Sequence, residues 1–348
     1  MGPNVKALEQ EVAQYCGCTY GLGMASGTDA LRLAMDALEI GPGDEVITTP
    51  FTFIATANTI SRAGAIPVFV DIDPRTFNLN PVLVERAITK RTRAILPVHL
   101  FGQLADMGAL MELAVRYDLP VVEDSAQAIG ATFEGQPACS FGIIGCLSFY
   151  PTKNLGAYGD GGMAVTCNAE MAERLDILRR HGGRVKYYHE RLGYNSRLDE
   201  LQAAILRVKL RYLDAWTEGR RGVAARYDEL LADLPITSPY QAPGMRHVYH
   251  QYTIRAPRRD QLQSFLKEQG IGTMIYYPLP LHLQEMYADL GLGEGSFPEA
   301  ERAAREVLAL PIYPELTEDQ IEQVANAIRH FYGSQTVAGS SAAGSADV

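Results

Sequence analysis

The first half of the chain places short, unbroken runs of valine, isoleucine and leucine between segments of helical period. "YGLGMA" (20–25), "EVITT" (45–49), "PVFVDID" (67–73), "AILPVHL" (94–100), "PVVEDSA" (120–126), "CLSFY" (146–150) and "GMAVT" (162–166) read as strands. Helical stretches fall between them: after Ser26 or Thr28, at about 53–63, at 80–88 with Asn80 as cap and Pro81 at the first position, and at 106–118. Runs without polar alternation are buried on both faces, as in a mostly parallel sheet covered by helices on each side. The expected fold class is α/β. In such a sheet, ligands bind beyond the carboxyl ends of the strands. The residues just past each strand therefore bear most on function.

Val5, Leu8, Val12 and Tyr15 predict an amphipathic helix over 4–16. Asn168 caps a helix to about Arg180, and "HGGRVKYYHERLGYNS" is a polar loop before a long helix starting near Arg197. Past residue 233 the pattern changes. A strand at 248–255, a helix at 258–269, a short strand at 273–276 and helices near 298–308 and 317–332 predict a smaller α+β domain. Thr317 and Gln320 form a capping box for the last helix. The expected division is a large domain over 1–233, a small one over 234–333, and a disordered Gly/Ala/Ser-rich tail over 334–348.

Asp and Glu total 41 against 31 Lys and Arg, a net charge of −10, which argues against nucleic acid or an anionic membrane as partner. No apolar run reaches the ~20 residues of a membrane span, and no secretory signal opens the chain. Five cysteines without Cys-x-x-Cys spacing read as reduced thiols of a cytoplasmic protein, with no metal site.

Three features lie behind different strands. Asp124 ends "PVVED"; it is either a helix cap or the partner of a buried cation. Ser26-Gly27-Thr28 opens a helix whose free N–H groups suit a phosphate, although Ser, Gly and Thr there also serve as plain caps. Lys153 stands alone among the glycines of "SFYPTKNLGAYGDGG" (148–162). It is either a surface lysine in a loop or an amine made nucleophilic by desolvation. Together, a phosphate cradle, a carboxylate and a reactive lysine match what pyridoxal 5'-phosphate requires. Phe53, after the strand at 45–49, is placed to cover one face of its ring, or is a core phenylalanine.

At these residues the sequence resembles the DegT/DnrJ/EryC1/StrS sugar aminotransferases, within fold type I of the pyridoxal-phosphate enzymes. "SGTDAL", "TPFTFIAT", "VEDSAQAIGA", "SFYPTKNLGAYGDGG", "GYNSRLDELQAAIL" and "YYPLPLHLQ" occur in the family's order, from "GPNVKALE" to about Gly333. The resemblance implies that Lys153 is the Schiff-base lysine and proton shuttle, and Asp124 the partner of the pyridine nitrogen. Gln127 is implied to contact the ring's 3-hydroxyl, Gly27, Thr28 and Ser148 to bind the phosphate, and Phe53 to stack. Asn195 is similar to an asparagine that reaches the phosphate of a neighbouring subunit, so a homodimer with shared sites is implied, with Arg197 at the same place. Tyr276, Tyr277 and His282 fall in the loop expected to meet the substrate. That substrate is a nucleotide-linked keto sugar, with the ketone at C3 favoured over C4, and an amino acid, glutamate by the same resemblance, supplies nitrogen in a ping-pong reaction. Two departures are visible. Relatives usually carry a further helix and loop before the Gly-Pro step that opens this chain, supplying a wall of the site and part of the dimer contact. Tyr276 stands where relatives often have histidine.

Two other functions compete. A related dehydratase has histidine in place of the lysine, which Lys153 opposes. A regulatory protein that holds the cofactor without turnover is the other. A nicotinamide-binding protein is opposed by the lack of a Gly-x-Gly-x-x-Gly turn opening a helix.

Overall fold

The computed structural model describes residues 1–340. The first part runs α1 (Pro3–Tyr15), β1 (Tyr20–Met24), α2 (Gly27–Ala37), β2 (Glu45–Thr48), α3 (Ala55–Arg62), β3 (Ile66–Phe69), α4 (Pro81–Ala87), β4 (Thr92–Ile95), α5 (Met107–Tyr117) and β5 (Val122–Asp124). A small hairpin, β6 (Thr132–Phe133) and β7 (Gln136–Pro137), leads to β8 (Ile144–Ser148), β9 (Gly162–Thr166) and α6 (Ala169–Leu178). The chain continues with α7 (Glu200–Leu210), α8 (Leu213–Leu231), β10 (Met245–Arg246), β11 (Tyr252–Arg255), α9 (Arg259–Glu268), α10 (Pro298–Glu306), β12 (Val307–Leu310) and α11 (Glu318–Ser340).

The ladders β1-β9-β8-β5 and β3-β2-β4 are joined by parallel bridges Ile95↔Val121 and Val98↔Asp124. They make one seven-stranded sheet of order β1-β9-β8-β5-β4-β2-β3. Six strands run the same way, and β9 alone is antiparallel to its neighbours. The cause is local: the segment between β8 and β9 has no crossover helix, so the chain can only turn back on itself. Residues alternate between the faces. Cys146 and Ala164 pack under α2 and α6, whereas Leu147, Met163 and Val165 pack under α1 and α7. The sheet is thus covered on both sides, as the unbroken apolar runs predict.

Several C-terminal boundaries differ from the sequence expectation. The long helix near Arg197 is two helices, broken between Leu210 and Leu213. Val223, Ala224, Tyr227 and Leu231 of α8 pack with Tyr252, Ile254, Leu308 and Leu310, so the C-terminal core begins before residue 233. The strand expected over 248–255 is confined to β11, and that at 273–276 is a single bridge, Met274↔Ala309. The helix expected to 308 stops at Glu306, because "VLAL" pairs with β11 as β12 (Ile254↔Leu308). The backbone of α11 continues to Ser340, past the point where composition predicts a disordered tail; the remainder, 341–348, lies outside the described residues. No helix among the described residues is long and apolar enough to cross a membrane.

Candidate active site

The carboxyl ends of β1, β2, β5 and β8 open on one cavity of about 540 Å³. Each end brings one of the anticipated groups. After β1, Ser26 caps α2 by accepting from the Asp29 N–H (3.1 Å). The Ala30 N–H is taken by the Ser26 carbonyl, so the Gly27 and Thr28 N–H groups make no hydrogen bond among the described residues. They are the free donors of a helix N-terminus. This cradle is closely framed. A Cβ on Gly27 would stand 2.8 Å from Ser148 Cβ, and one on Gly162 would stand 2.4 Å from the Gly27 nitrogen. The helix start, the end of β8 and the beginning of β9 touch through positions that only glycine can fill.

Asp124, at the end of β5, is buried and is not a helix cap. Its Oδ2 accepts from Thr56 Oγ1 (2.8 Å) and its Oδ1 from the Ala126 N–H (3.2 Å). Burial pushes its carboxyl above the usual range; Thr56, the Ala126 amide, Lys153 and His99 pull the other way. A buried carboxylate held by two donors is built to face a cation.

Lys153 lies beyond β8 in a tight turn closed by its own N–H to the Tyr150 carbonyl (2.8 Å). Its side chain is half-buried and lines the cavity. Burial lowers its pKa while Asp124 opposes that shift, so the neutral amine is favoured relative to an exposed lysine. Phe53 lies at the rim, 56% exposed, its ring 6.4 Å from that of Tyr277. Gln127 lines the cavity with both ends of its amide engaged: Oε1 accepts from the Phe101 N–H (2.7 Å), and Nε2 donates to the Tyr277 hydroxyl (3.1 Å). Tyr276 and Tyr277 also line it.

Three anticipated residues lie elsewhere. Asn195 and Arg197 are exposed, bonded to one another (Arg197 Nη2 to Asn195 Oδ1, 2.8 Å) and outside the cavity lining of their own chain. Between them, Ser196 is buried; it donates to Asp29 (2.6 Å) and accepts from the Ala25 N–H (3.2 Å), which anchors the loop to the start of α2. His282 also lies outside this lining. It is 1% exposed, bonded through Nε2 to Glu301 (3.1 Å) and set against the edge of Phe297.

Sequence reasoning missed Thr56, His250 and Asn154. Thr56 sits in the "TPFTFIAT" motif, but its partner is 68 residues away. His99, near the end of its strand run, is structural. Its Nδ1 accepts from the Ala105 N–H (3.2 Å), which leaves Nε2 to donate to the buried Glu123 (2.8 Å). Among the described residues, no cluster of His, Cys, Asp and Glu could hold a metal.

Against known proteins, residues 1–329 match the DegT/DnrJ/EryC1/StrS aminotransferase family. The chain belongs to that family. It is 57% identical, over 95% of this chain and 90% of the relative, to a "Pleiotropic regulatory protein" of Geobacillus stearothermophilus. It is 52% identical to a UDP-N-acetyl-3-dehydro-alpha-D-glucosamine 3-aminotransferase of Acidithiobacillus ferrooxidans, over 94% of this chain and 89% of the relative. Among solved structures, DesV of S. venezuelae, in complex with a ketimine intermediate, superposes with a TM-score of 0.93 at 49% identity, covering 95% of this chain and 90% of that one. The family's fold type I, with a sheet between helices and a smaller C-terminal α+β part, is the fold found here. The chain is thus a relative of pyridoxal-phosphate-dependent aminotransferases that act on nucleotide sugars.

Proposed function

We propose that the protein is a pyridoxal-phosphate-dependent aminotransferase that places nitrogen from an amino acid, glutamate first among candidates, onto the C3 ketone of a nucleotide-linked hexose. The observation that supports it best is the convergence of the Lys153 amine, the Asp124 carboxylate and the free Gly27 and Thr28 N–H groups on one cavity.

The residues fit the cofactor. The framed helix start offers two unpaired donors to a phosphate, with the Ser148 hydroxyl beside them. Asp124, buried and held by two donors, would hold a protonated ring nitrogen, and Phe53 would cover the ring. When bound, the cofactor supplies the carbonyl with which amines condense and a ring that withdraws electrons. The chain's own groups do the rest. Thr56 and the Ala126 amide favour the charged form of Asp124 against its burial and aim it. Lys153, its pKa lowered, offers a neutral amine to a carbonyl, and once released carries a proton to or from the reacting carbon. Gln127 and Tyr277 form a hydrogen-bonded wall that fixes how a ligand lies. Asn195 and Arg197, outside their own cavity, fit a role in the site of a second subunit.

The preference for C3 comes from the relative that acts on a 3-dehydro sugar. Moving the reacting carbon by one ring position displaces the nucleotide, and a misplacement of about 1 Å can cost ~100-fold in rate. One position should therefore dominate. Arg197 or the backbone near Tyr276 and Tyr277 would meet the diphosphate.

The test has two stages. Borohydride reduction of the yellow protein should fix the cofactor on the peptide holding Lys153, and glutamate should bleach the colour. The bleached form is then given 3-keto and 4-keto nucleotide sugars separately, and the new amine is located by NMR. Reoxidation by the 4-keto compound alone would overturn the C3 assignment. A second reading comes from the regulatory name of the 57% identical relative: a protein that binds the cofactor without turnover. Colour that glutamate does not bleach would favour it.

A further inference from the structure

Cys16, Cys139 and Cys146 are buried, Cys18 is half-buried and Cys167 is exposed. The thiols of Cys18 and Cys167, 149 residues apart in the chain, meet with their sulfurs 2.7 Å from one another. A disulfide would bring them to about 2.05 Å. The pair sits just off one end of the β1–β9 ladder. Its last register is Tyr20↔Thr166; Cys18 comes two residues before the one and Cys167 directly after the other.

Neither backbone is loose. The Cys18 N–H donates to the Ala13 carbonyl (2.8 Å) at the close of α1. Cys167 is held between Thr166, the last residue of β9, and Asn168. The Asn168 N–H donates to Thr166 Oγ1 (3.1 Å), and its Oδ1 caps α6 by accepting from the Met171 N–H (3.0 Å). The side chains are also ordered. The Cys18 thiol donates to the Cys139 carbonyl (3.5 Å), which leaves its sulfur lone pairs for Cys167. The Cys167 thiol has the Cys18 sulfur and, at 3.7 Å, the Gly17 carbonyl as acceptors.

We infer that Cys18 and Cys167 form a redox site, a dithiol that a low-molecular-weight disulfide converts to an intramolecular disulfide and that a thiol reduces again. The reaction is two exchanges. Cys167 loses its proton and attacks one sulfur of the oxidant; the oxidant's S–S bond breaks, and its first half leaves as a thiolate that takes up a proton. Cys18 then loses its proton and attacks Cys167 Sγ; the mixed S–S bond breaks, and the second half leaves in the same way. The protein gives up two protons and two electrons, and one molecule of oxidant becomes two thiols. Cys167 reacts first because it is the exposed partner, whereas burial, and then the bond from Cys167, raises the pKa of the Cys18 thiol. Cys16, Cys139 and Cys146 are shielded from the oxidant.

The bond would join the turn after α1 to the strand end before α6. β1 is the edge strand of the sheet and is laddered to β9. A staple at one end of that ladder holds the edge strand against local opening. The other end, Met24↔Gly162, adjoins the cradle at Gly27. Nothing in this depends on the cofactor.

The test incubates the full-length chain with oxidised glutathione at mildly alkaline pH and follows intact mass, with peptide mapping under non-reducing conditions. The unsubstituted chain should lose two hydrogens, give one cross-linked pair of peptides holding Cys18 and Cys167, and return to its starting mass with dithiothreitol. Cys18→Ser should stop at a glutathione adduct on Cys167. Cys167→Ser should be modified roughly tenfold more slowly or less, since its remaining thiol of the pair is half-buried. Hydrogen exchange of the β1 amides should slow roughly tenfold on oxidation. A glutathione adduct that persists on Cys167 of the unsubstituted chain would overturn the inference, because the two sulfurs then do not reach bonding geometry. So would a cross-link between two chains, a bond to Cys139, or an unchanged mass where a control dithiol peptide is oxidised. A Cys18–Cys167 bond that leaves exchange in β1 unaltered would overturn the staple.

Discussion

Replacing Thr56 by valine keeps the shape of a fully buried, β-branched side chain and removes one hydroxyl. That hydroxyl stands 2.8 Å from Asp124 Oδ2 and 3.1 Å from Thr52 Oγ1. A hydrogen bond to a charged acceptor contributes about 1.5–3 kcal/mol, and the Ala126 amide at 3.2 Å cannot replace it because it serves the other oxygen. At about 1.4 kcal/mol per decade, Thr56→Val should lower the rate of bleaching by glutamate roughly 10- to 100-fold near neutral pH. The direction with pH comes from the same groups. Burial raises the pKa of Asp124 and the Thr56 bond opposes it, so the variant carboxyl is protonated at higher pH. Its rate should fall earlier than the parent's as pH is lowered. Thr56→Ser, which restores a hydroxyl, should recover most of the rate. The assay is stopped-flow decay of the yellow absorbance across pH. A Thr56→Val profile that overlays the parent, in rate and in acid limb, would refute the claim that this hydroxyl favours the ionised form of Asp124.

Gly27→Ala should weaken cofactor binding about 5- to 100-fold, the range for forcing an atom into a packed contact; equilibrium dialysis of the cofactor measures it, and Ser148 Cβ at 2.8 Å is the clash. His282→Leu should leave the KM for the sugar substrate within about twofold while lowering the unfolding midpoint, because the side chain bonds Glu301 and lines no part of the cavity; that bond contributes on the order of 1–3 kcal/mol. Mixing inactive Lys153→Ala with inactive Asn195→Ala protein should restore part of the activity if the Asn195 loop completes a neighbour's site, since one site of a mixed dimer is intact; no recovery despite demonstrated subunit exchange would confine Asn195 to its own chain.

Much of the site was legible because its groups sit where local pattern is strongest. Unbroken apolar runs mark buried strands, and the residue after each run is then at a strand's carboxyl end. Asp124, Ser148, Lys153 and the Ser26–Thr28 turn could be placed by that rule, and the structure brings all of them to one cavity. His282 could not be placed, because four residues separate it from Tyr277 and an irregular segment has no period from which to read direction. Nor could Thr56, His250 and Asn154, which matter through partners far away in the chain.

The sequence by itself determined the alternation of strands and helices in the first half, the α/β class, and the family motifs in order. These depend on contacts at short, fixed spacings, which periodicity and capping record. Tertiary structure alone decided the reversal of β9, the break between α7 and α8, the pairing that makes Val307–Leu310 a strand, and the recruitment of α8 into the C-terminal core. It also decided which proton His250 carries, since that depends on one amide held against one carbonyl across the interface between the lysine loop and the segment before β11. An apolar run has no preference between helix and strand until a neighbour presents either a groove or an unpaired edge, and an imidazole has no fixed tautomer until a partner that can only accept is set beside it.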